Sequence, residues 1–206
     1  VFLEPGALRG YPALVTPPAV DTVPAGSIPW DRLTALFNHV YSDYYVHFAL
    51  EEPALRQMVR RFDLDLDASR VVVGEAGPVA VAMLGIRGAL GWIGGMGVAP
   101  EARRDGLGRG VMRAVIEQAR RHGLEEVRLE VLEQNAPAIA LYEALGFVRL
   151  RELEVWSLST TLAGAAAREI AAAEARAWIA ARRGAPEPWQ RADASLDRFD
   201  APETPL

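Results

Sequence analysis

The sequence predicts an α/β fold, a mixed central sheet with helices on both faces. Three observations carry that prediction. Helical periodicity and strand-like apolar runs alternate in the order α α β β β α β α β. A hairpin of two buried strands opens the sheet, and amphipathic helices separate the later strands. At 206 residues, 50% hydrophobic and 24% charged, the chain has the composition of a globular protein with enough length for a full core.

The elements follow in order. Residues 1–26 hold many prolines and glycines without a sustained period and read as an irregular arm. From Trp30, the residues Leu33, Leu36, Phe37, Val40 and Tyr41 recur at helical spacing, and Glu51 to Arg61 reads as a second helix through Leu55, Met58 and Val59. Val71 to Glu75 and Val79 to Ile86 form the hairpin around the turn Ala76-Gly77-Pro78. A third strand runs from about Leu90 to Val98. Its glycines Gly91, Gly94, Gly95 and Gly97 weaken it but leave room for a ligand's backbone.

The next helix places Leu107, Val111, Met112, Val115 and Ala119 on one face and Arg109, Arg113, Glu117 and Arg120 on the other, with Gly123 as its stop. Val127, Leu129 and Val131 alternate with Arg128 and Glu130 in a half-buried strand. Pro137 suits the first turn of a helix from about Ala136 to Leu145, which Gly146 ends, and residues 148–158 read as a last strand. Leu162 to Arg183 is alanine-rich and reads as one long helix. A turn-rich tail with Trp189, Leu196 and Phe199 follows it.

Composition narrows the function classes. The chain has no cysteine, hence no disulfide and no thiolate nucleophile, and no signal-like segment opens it, so the cytoplasm is the expected compartment. The apolar run from Val79 to Ile86 is far too short for a membrane span. A net charge of −5 argues against nonspecific nucleic-acid binding. His39, His47 and His122 are scattered, so no metal is expected.

The informative segment is VAPEARRDGLGRGVM, Val98 to Met112. Gly106, Gly108 and Gly110 lie between a strand and a helix, where missing Cβ atoms let several backbone N–H groups converge at a helix start. The helix dipole and Arg103, Arg104 and Arg109 make that point positive, which suits a pyrophosphate. The plain alternative is a surface loop with solvated arginines. A P-loop is excluded because Val111 and Met112 follow Gly110 where Lys and Ser or Thr are required. A dinucleotide fingerprint fails because the third glycine comes one residue early and the loop lies in mid-chain.

The spelling Arg103-x-x-Gly106-x-Gly108 after Val98-x-Pro100 resembles the acyl-CoA pyrophosphate loop of the GNAT acetyltransferases. A second block, NAPAIALYEALGF from Asn135 to Phe147, resembles the Asn-x-x-Ala-x-x-Leu-Tyr-x-x-x-Gly-Phe segment of the same family. The resemblance covers roughly Ser27 to Trp156 and implies a GNAT acyl-CoA acyltransferase fold, α/β with a mixed, mostly antiparallel central sheet and helices on both faces. It divides the chain into an arm (1–26), an acetyltransferase domain (27–160) and a C-terminal helix and tail (161–206) that serves as a linker or dimerisation segment.

The resemblance also implies a chemistry, acetyl-CoA-dependent transfer of an acetyl group to a primary amine by direct attack on the thioester, without a metal. The implied donor site comprises Met96, Gly97, Val98, Arg103, Arg104, Asp105, Gly106, Leu107, Gly108, Arg109, Gly110, Asn135 and Tyr142. In it the backbone of Met96 to Val98 pairs with the pantetheine amides, and the N–H of Val98 or a neighbour faces the oxyanion. Tyr142 is the implied acid for the leaving thiolate, two helical turns from Asn135. Asn135 is implied to hold the pantetheine arm or nearby backbone, with a simple helix-start residue as the alternative.

Glu130 ranks first as general base, with Glu75, Glu133, Asp43 and His47 as other candidates, and for each a solvated side chain is the alternative. Asp43, Tyr44 and Tyr45, with Tyr41 and Phe48, form an acidic aromatic cluster where the family's first helices shape the acceptor pocket. It would hold a cationic small-molecule or peptide amine, or else be an aromatic face of the core.

A noncatalytic acyl-CoA-binding module and a structural half of a tandem protein stay open as other readings. GNAT domains also close with a further strand after the one at Phe147, and none is evident here. A second copy of the chain or a second acetyltransferase-like domain, contacting residues after about Ser157, is expected to complete that edge.

Overall fold

The structure, a computed structural model, describes residues 2–5, 20–46, 49–154, 170–185 and 187–198. The unit Val1–Glu152 runs β1 (Phe2–Pro5), β2 (Val23–Pro24), α1 (Trp30–Val40), α2 (Glu52–Arg61), β3 (Leu64–Gly74), β4 (Gly77–Arg87), β5 (Leu90–Val98), α3 (Leu107–Arg121), β6 (Glu126–Glu130), α4 (Ala136–Ala144) and β7 (Phe147–Arg151). A second unit, Leu153–Leu206, holds α5 (Ala172–Ala180) and α6 (Asp193–Asp197). Within it Trp189 is buried, its carbonyl accepts from the Ser195 hydroxyl, and Arg183 pairs with Asp193.

One sheet of order β2-β3-β4-β5-β6-β1-β7 runs through the first unit, and only the β5–β6 pairing is parallel. β4 is central and buried on both faces, so its run reads apolar without alternation. Ala80, Ala82 and Leu84 meet Val111, Met112, Val115, Ile116 and Ala119 of α3 in one core cluster. α1 and α2 lie across the opposite face and bury Leu33, Phe37, Leu55 and Val59 there.

Most boundaries match the periodicity, and the departures have physical causes. The expected irregular arm supplies two strands. β1 lies antiparallel between β6 and β7, with Leu3 opposite both Leu129 and Arg149. β7 thus gains a neighbour from the chain's own first residues, which the sequence did not predict. β3 begins at Leu64, ahead of the expected Val71, in a stretch whose aspartates disfavour a strand. A register shift between Asp65 and Arg70 accommodates them, and Asp65 Oδ1 accepts the N–H groups of Asp67 and Ala68. Of the long helix expected over Leu162 to Arg183, α5 is the helical part among the described residues, capped at Ala171. Residues 162–169 and Phe199 lie outside them.

β5 carries a bulge. Met83 faces Gly95 while Leu84 faces Ile93, so Gly94 is an extra residue. The bulge reverses the faces along the strand. A Cβ on Gly91 would point at Leu124 and Val127, whereas Cβ atoms on Gly95 and Gly97 would meet Phe37 at 3.1 Å and Val40 at 2.6 Å. The space these glycines leave is therefore filled by the protein's own side chains, which seat α1 tightly on β5. Gly97→Ala should cost about 1–3 kcal/mol through overpacking against Val40, read by denaturant unfolding.

Candidate active site

β5 and β6 part company within one sheet. Their parallel register runs Leu90 with Glu126, Gly91 with Val127 and Trp92 with Arg128, and stops there, although β5 continues to Val98. Beyond that point the β5 edge turned away from β4 faces a gap. Met96 presents both its N–H and its C=O to this gap, and by the alternation of an antiparallel ladder Val98 points the same way. In this structure the Tyr41 hydroxyl accepts from the Met96 N–H at 3.0 Å and donates to the Met96 carbonyl at 3.2 Å. The Val98 carbonyl accepts from Arg103 Nε at 3.0 Å.

The end of β5 leads into the glycine loop. Arg104 (φ 73°) and Gly106 (φ 79°) are left-handed, the first at a cost that non-glycine residues seldom bear. Gly106 caps α3 with no side-chain hydrogen bond, and the first turn holds no acidic residue. The N–H groups of Leu107, Gly108 and Arg109 therefore have no acceptor within the helix. Arg104 and Arg109 stand exposed beside this helix start and, among the described residues, join no ion pair; Asp105 is also exposed.

Gly108 ties the loop to the gap, because a Cβ there would lie 3.1 Å from Met96 Cε and 3.5 Å from both Val98 and Leu141. Gly110 has a different role. Its N–H is bonded to Gly106 O, and its Cα packs so closely on Val20 that a Cβ would come within 2.4 Å of it. It is a packing glycine, with no N–H left for a ligand.

Arg103, grouped by sequence with the phosphate ligands, is turned the other way. Its guanidinium binds both oxygens of Asp43 at 2.6 and 2.8 Å and reaches the Val40 carbonyl. The Arg103 guanidinium holds the Asp43 carboxyl below the usual range. Asp43 is thereby committed to a clamp between the turn after α1 and the glycine loop, where the sequence had suggested an amine ligand. His39 and Glu101 form a second tie between the same two segments, 2.9 Å apart.

The turn after α1 crosses the gap. Tyr41 packs on Tyr44 and Tyr44 on Tyr45, both edge to face, with ring centres 5.2 and 5.6 Å apart. The Tyr45 hydroxyl donates to the Gln134 carbonyl at 3.0 Å. Tyr41 to Tyr45 thus forms a strap from β5 to the start of α4. Burial pushes the Tyr41 hydroxyl up to about 12 and raises that of Tyr44. Tyr41, seen in the sequence only as one member of an aromatic cluster, is the residue that touches the strand edge.

Asn135 caps α4, its Oδ1 accepting from the Ala138 N–H at 3.3 Å, so the helix-start role is present. Tyr142, two turns on, is 7% exposed and packs on Phe147 with ring centres 5.9 Å apart. Burial raises its pKa above the ordinary tyrosine value, and the neighbouring Tyr41 and Tyr44 add to the shift. Glu130 is the last residue of β6, just past the final pair with β5, and its Oε2 accepts from Trp92 Nε1 at 2.6 Å. Among the other base candidates, Glu75 is in an exposed hairpin turn and Glu133 is exposed before α4, while His47 and Phe48 lie outside the described residues. No group of three His, Cys, Asp or Glu that could hold a metal occurs among the described residues. No helix there is long and apolar enough to cross a membrane.

The sheet thus opens between two parallel strands beside an uncapped, glycine-led helix. The sequence model of the acetyltransferase (GNAT) family matches residues 30–147, and the chain belongs to that family. It is 45% identical to mycothiol acetyltransferase of Thermobispora bispora over 65 residues, 32% of this chain and 22% of that protein. It is 46% identical to the ribosomal protein bS18-alanine N-acetyltransferase of Escherichia coli K12 over 50 residues, 24% of this chain and 34% of that protein. The match to mouse thialysine N-epsilon-acetyltransferase is 40% over 74 residues, 36% and 43% of the two chains. The matches span between about a fifth and two fifths of the length of these relatives. A GCN5-related N-acetyltransferase from Sphaerobacter thermophilus shares the fold with a TM-score of 0.59 at 19% identity, over 71% of this chain and 47% of that one.

The Asp43–Arg103 clamp has a pH signature. Because the folded-state pKa of Asp43 is lowered, its stabilisation is present above about 3.9 and lost as pH falls through the folded value. Both side chains are about half exposed, 53% and 40%, so the contribution is less than about 1 kcal/mol. Thermal unfolding of the wild type and Asp43→Asn should differ by that amount at pH 7, and the difference should close below about pH 4.

Proposed function

We propose that this chain is an acetyl-CoA-dependent N-acetyltransferase that transfers the acetyl group to a primary amine by direct attack on the thioester. The observation that carries this reading is the joining of the open β5 edge to the uncapped start of α3, with Gly108 against Met96 and Val98 at the junction. The residues present fit such a donor. The amides of Leu107, Gly108 and Arg109, with Arg104 and Arg109 beside them, suit a pyrophosphate. The edge from Met96 to Val98 suits the amides of a pantetheine arm added as a short strand.

The catalytic roles follow from charge. The Val98 N–H faces the gap and can receive the negative charge that develops on the carbonyl oxygen. Tyr142 is held protonated by burial. Because a thiol's ordinary pKa is only about 8.5, complete transfer from so weak an acid runs uphill, and Tyr142 acts chiefly as a hydrogen-bond donor to the departing sulfur. Glu130, oriented by Trp92, takes the proton that the amine gives up. The named relatives differ in their acceptors, so the amine class is supported and the individual amine is left to experiment.

Thiol release from acetyl-CoA with a panel of small amines and amino-terminal peptides tests the reading. Amine-dependent release supports it; CoA binding with no release for any amine would favour an acyl-CoA-binding module instead. Gly108→Val should abolish CoA binding in calorimetry while circular dichroism stays native, because the added methyls enter the junction with Met96, Val98 and Leu141. Tyr142→Phe should keep CoA binding and lower kcat by about a hundredfold. Unchanged turnover would make Tyr142 a packing residue.

A further inference from the structure

The Met96 backbone pair, which the donor's pantetheine amides would use if the acetyl-CoA reading holds, is already occupied. One hydroxyl serves both groups, accepting from the N–H at 3.0 Å and donating to the C=O at 3.2 Å, much as a ligand amide would. The next outward carbonyl, at Val98, is taken by Arg103 Nε. Tyr41 is part of the strap and Arg103 is tied to it, because Arg103 is clamped to Asp43, two residues after Tyr41. The strap is also held across the gap, where Tyr45 donates to the Gln134 carbonyl.

We propose that Tyr41 is a built-in occupant of the acyl donor's seat, whose hydroxyl holds the Met96 backbone pair until the donor binds and displaces it. The physical logic is that of a buried strand edge. Unpaired N–H and C=O groups facing an apolar interior are costly, and Tyr41 removes that cost while the site is empty. The donor must then exchange its hydrogen bonds for those of Tyr41 instead of simply adding new ones. Donor affinity is thus set below what the edge alone would provide, and the strap shifts as the donor arrives.

Tyr41→Phe keeps the ring against Phe37 and Tyr44 and removes only the competing hydroxyl. Calorimetry should show CoA binding the variant several-fold more tightly than the wild type, on the order of tenfold, from one or two hydrogen bonds no longer exchanged. Adenosine 3′,5′-bisphosphate, which lacks the pantetheine arm, should bind both proteins alike, which also reports that the variant is folded. Equal or weaker CoA binding by the variant, with bisphosphate binding unchanged, would overturn the proposal and leave the acetyl-CoA reading standing. Absence of CoA binding by the wild type would overturn both. A crystal structure of the wild type with CoA gives a check independent of any variant. Tyr41 Oη should lie beyond 3.5 Å from Met96 N, and a hydrogen bond kept intact there would contradict the displacement.

Discussion

Two neighbouring strands that separate inside a domain leave backbone N–H and C=O groups facing a gap, and such groups must find partners. In this chain the separation falls after Trp92 and Arg128, and much of the first unit is arranged around it. The bulge at Gly94 lies just past the last pair and reverses the faces of β5, so that Gly95 and Gly97 turn toward α1. Phe37 and Val40 then close on the strand, which brings the end of α1 near enough for Tyr41 to reach Met96. The sheet opens, and the turn after α1 crosses the opening.

The same constraint explains the division of labour among the arginines. Three arginines flank the glycine loop, and charge alone would assign all of them to an anion. Arg103 instead closes the clamp with Asp43 and the Val40 and Val98 carbonyls, which fixes the loop relative to α1. Arg104 and Arg109 are left beside the uncapped helix start, where the dipole and the amides act with them. The glycines divide likewise: Gly106 supplies a left-handed turn, Gly108 a close approach to β5, and Gly110 a close approach to Val20.

What could be read from the sequence was what neighbouring residues encode. The glycine loop, α3, α4 and the strands with clean alternation were legible because turn chemistry and periodicity are local. β1 was not, because four residues amid prolines and glycines carry no period, and their partners β6 and β7 lie at the other end of the unit. The first half of β3 was hidden by Asp65 and Asp67, whose reason for being there is a register shift that only the folded sheet shows. In the site, Asp43 and Arg103 lie 60 residues apart, and Tyr41 and Met96 lie 55 apart. No spacing rule links such pairs. The aromatic cluster drew notice, but its hydroxyls' partners depended on the tertiary arrangement.

The central claim is that the open β5 edge and the start of α3 together seat one donor, and amide-resolved hydrogen exchange with and without CoA tests it most directly. Added protection is expected at Met96 to Val98 and at Arg104 to Arg109, two segments that meet at Gly108, with little change on the β2–β3 side of the sheet. Protection confined to the glycine loop, or CoA binding that leaves both segments unchanged, would contradict it.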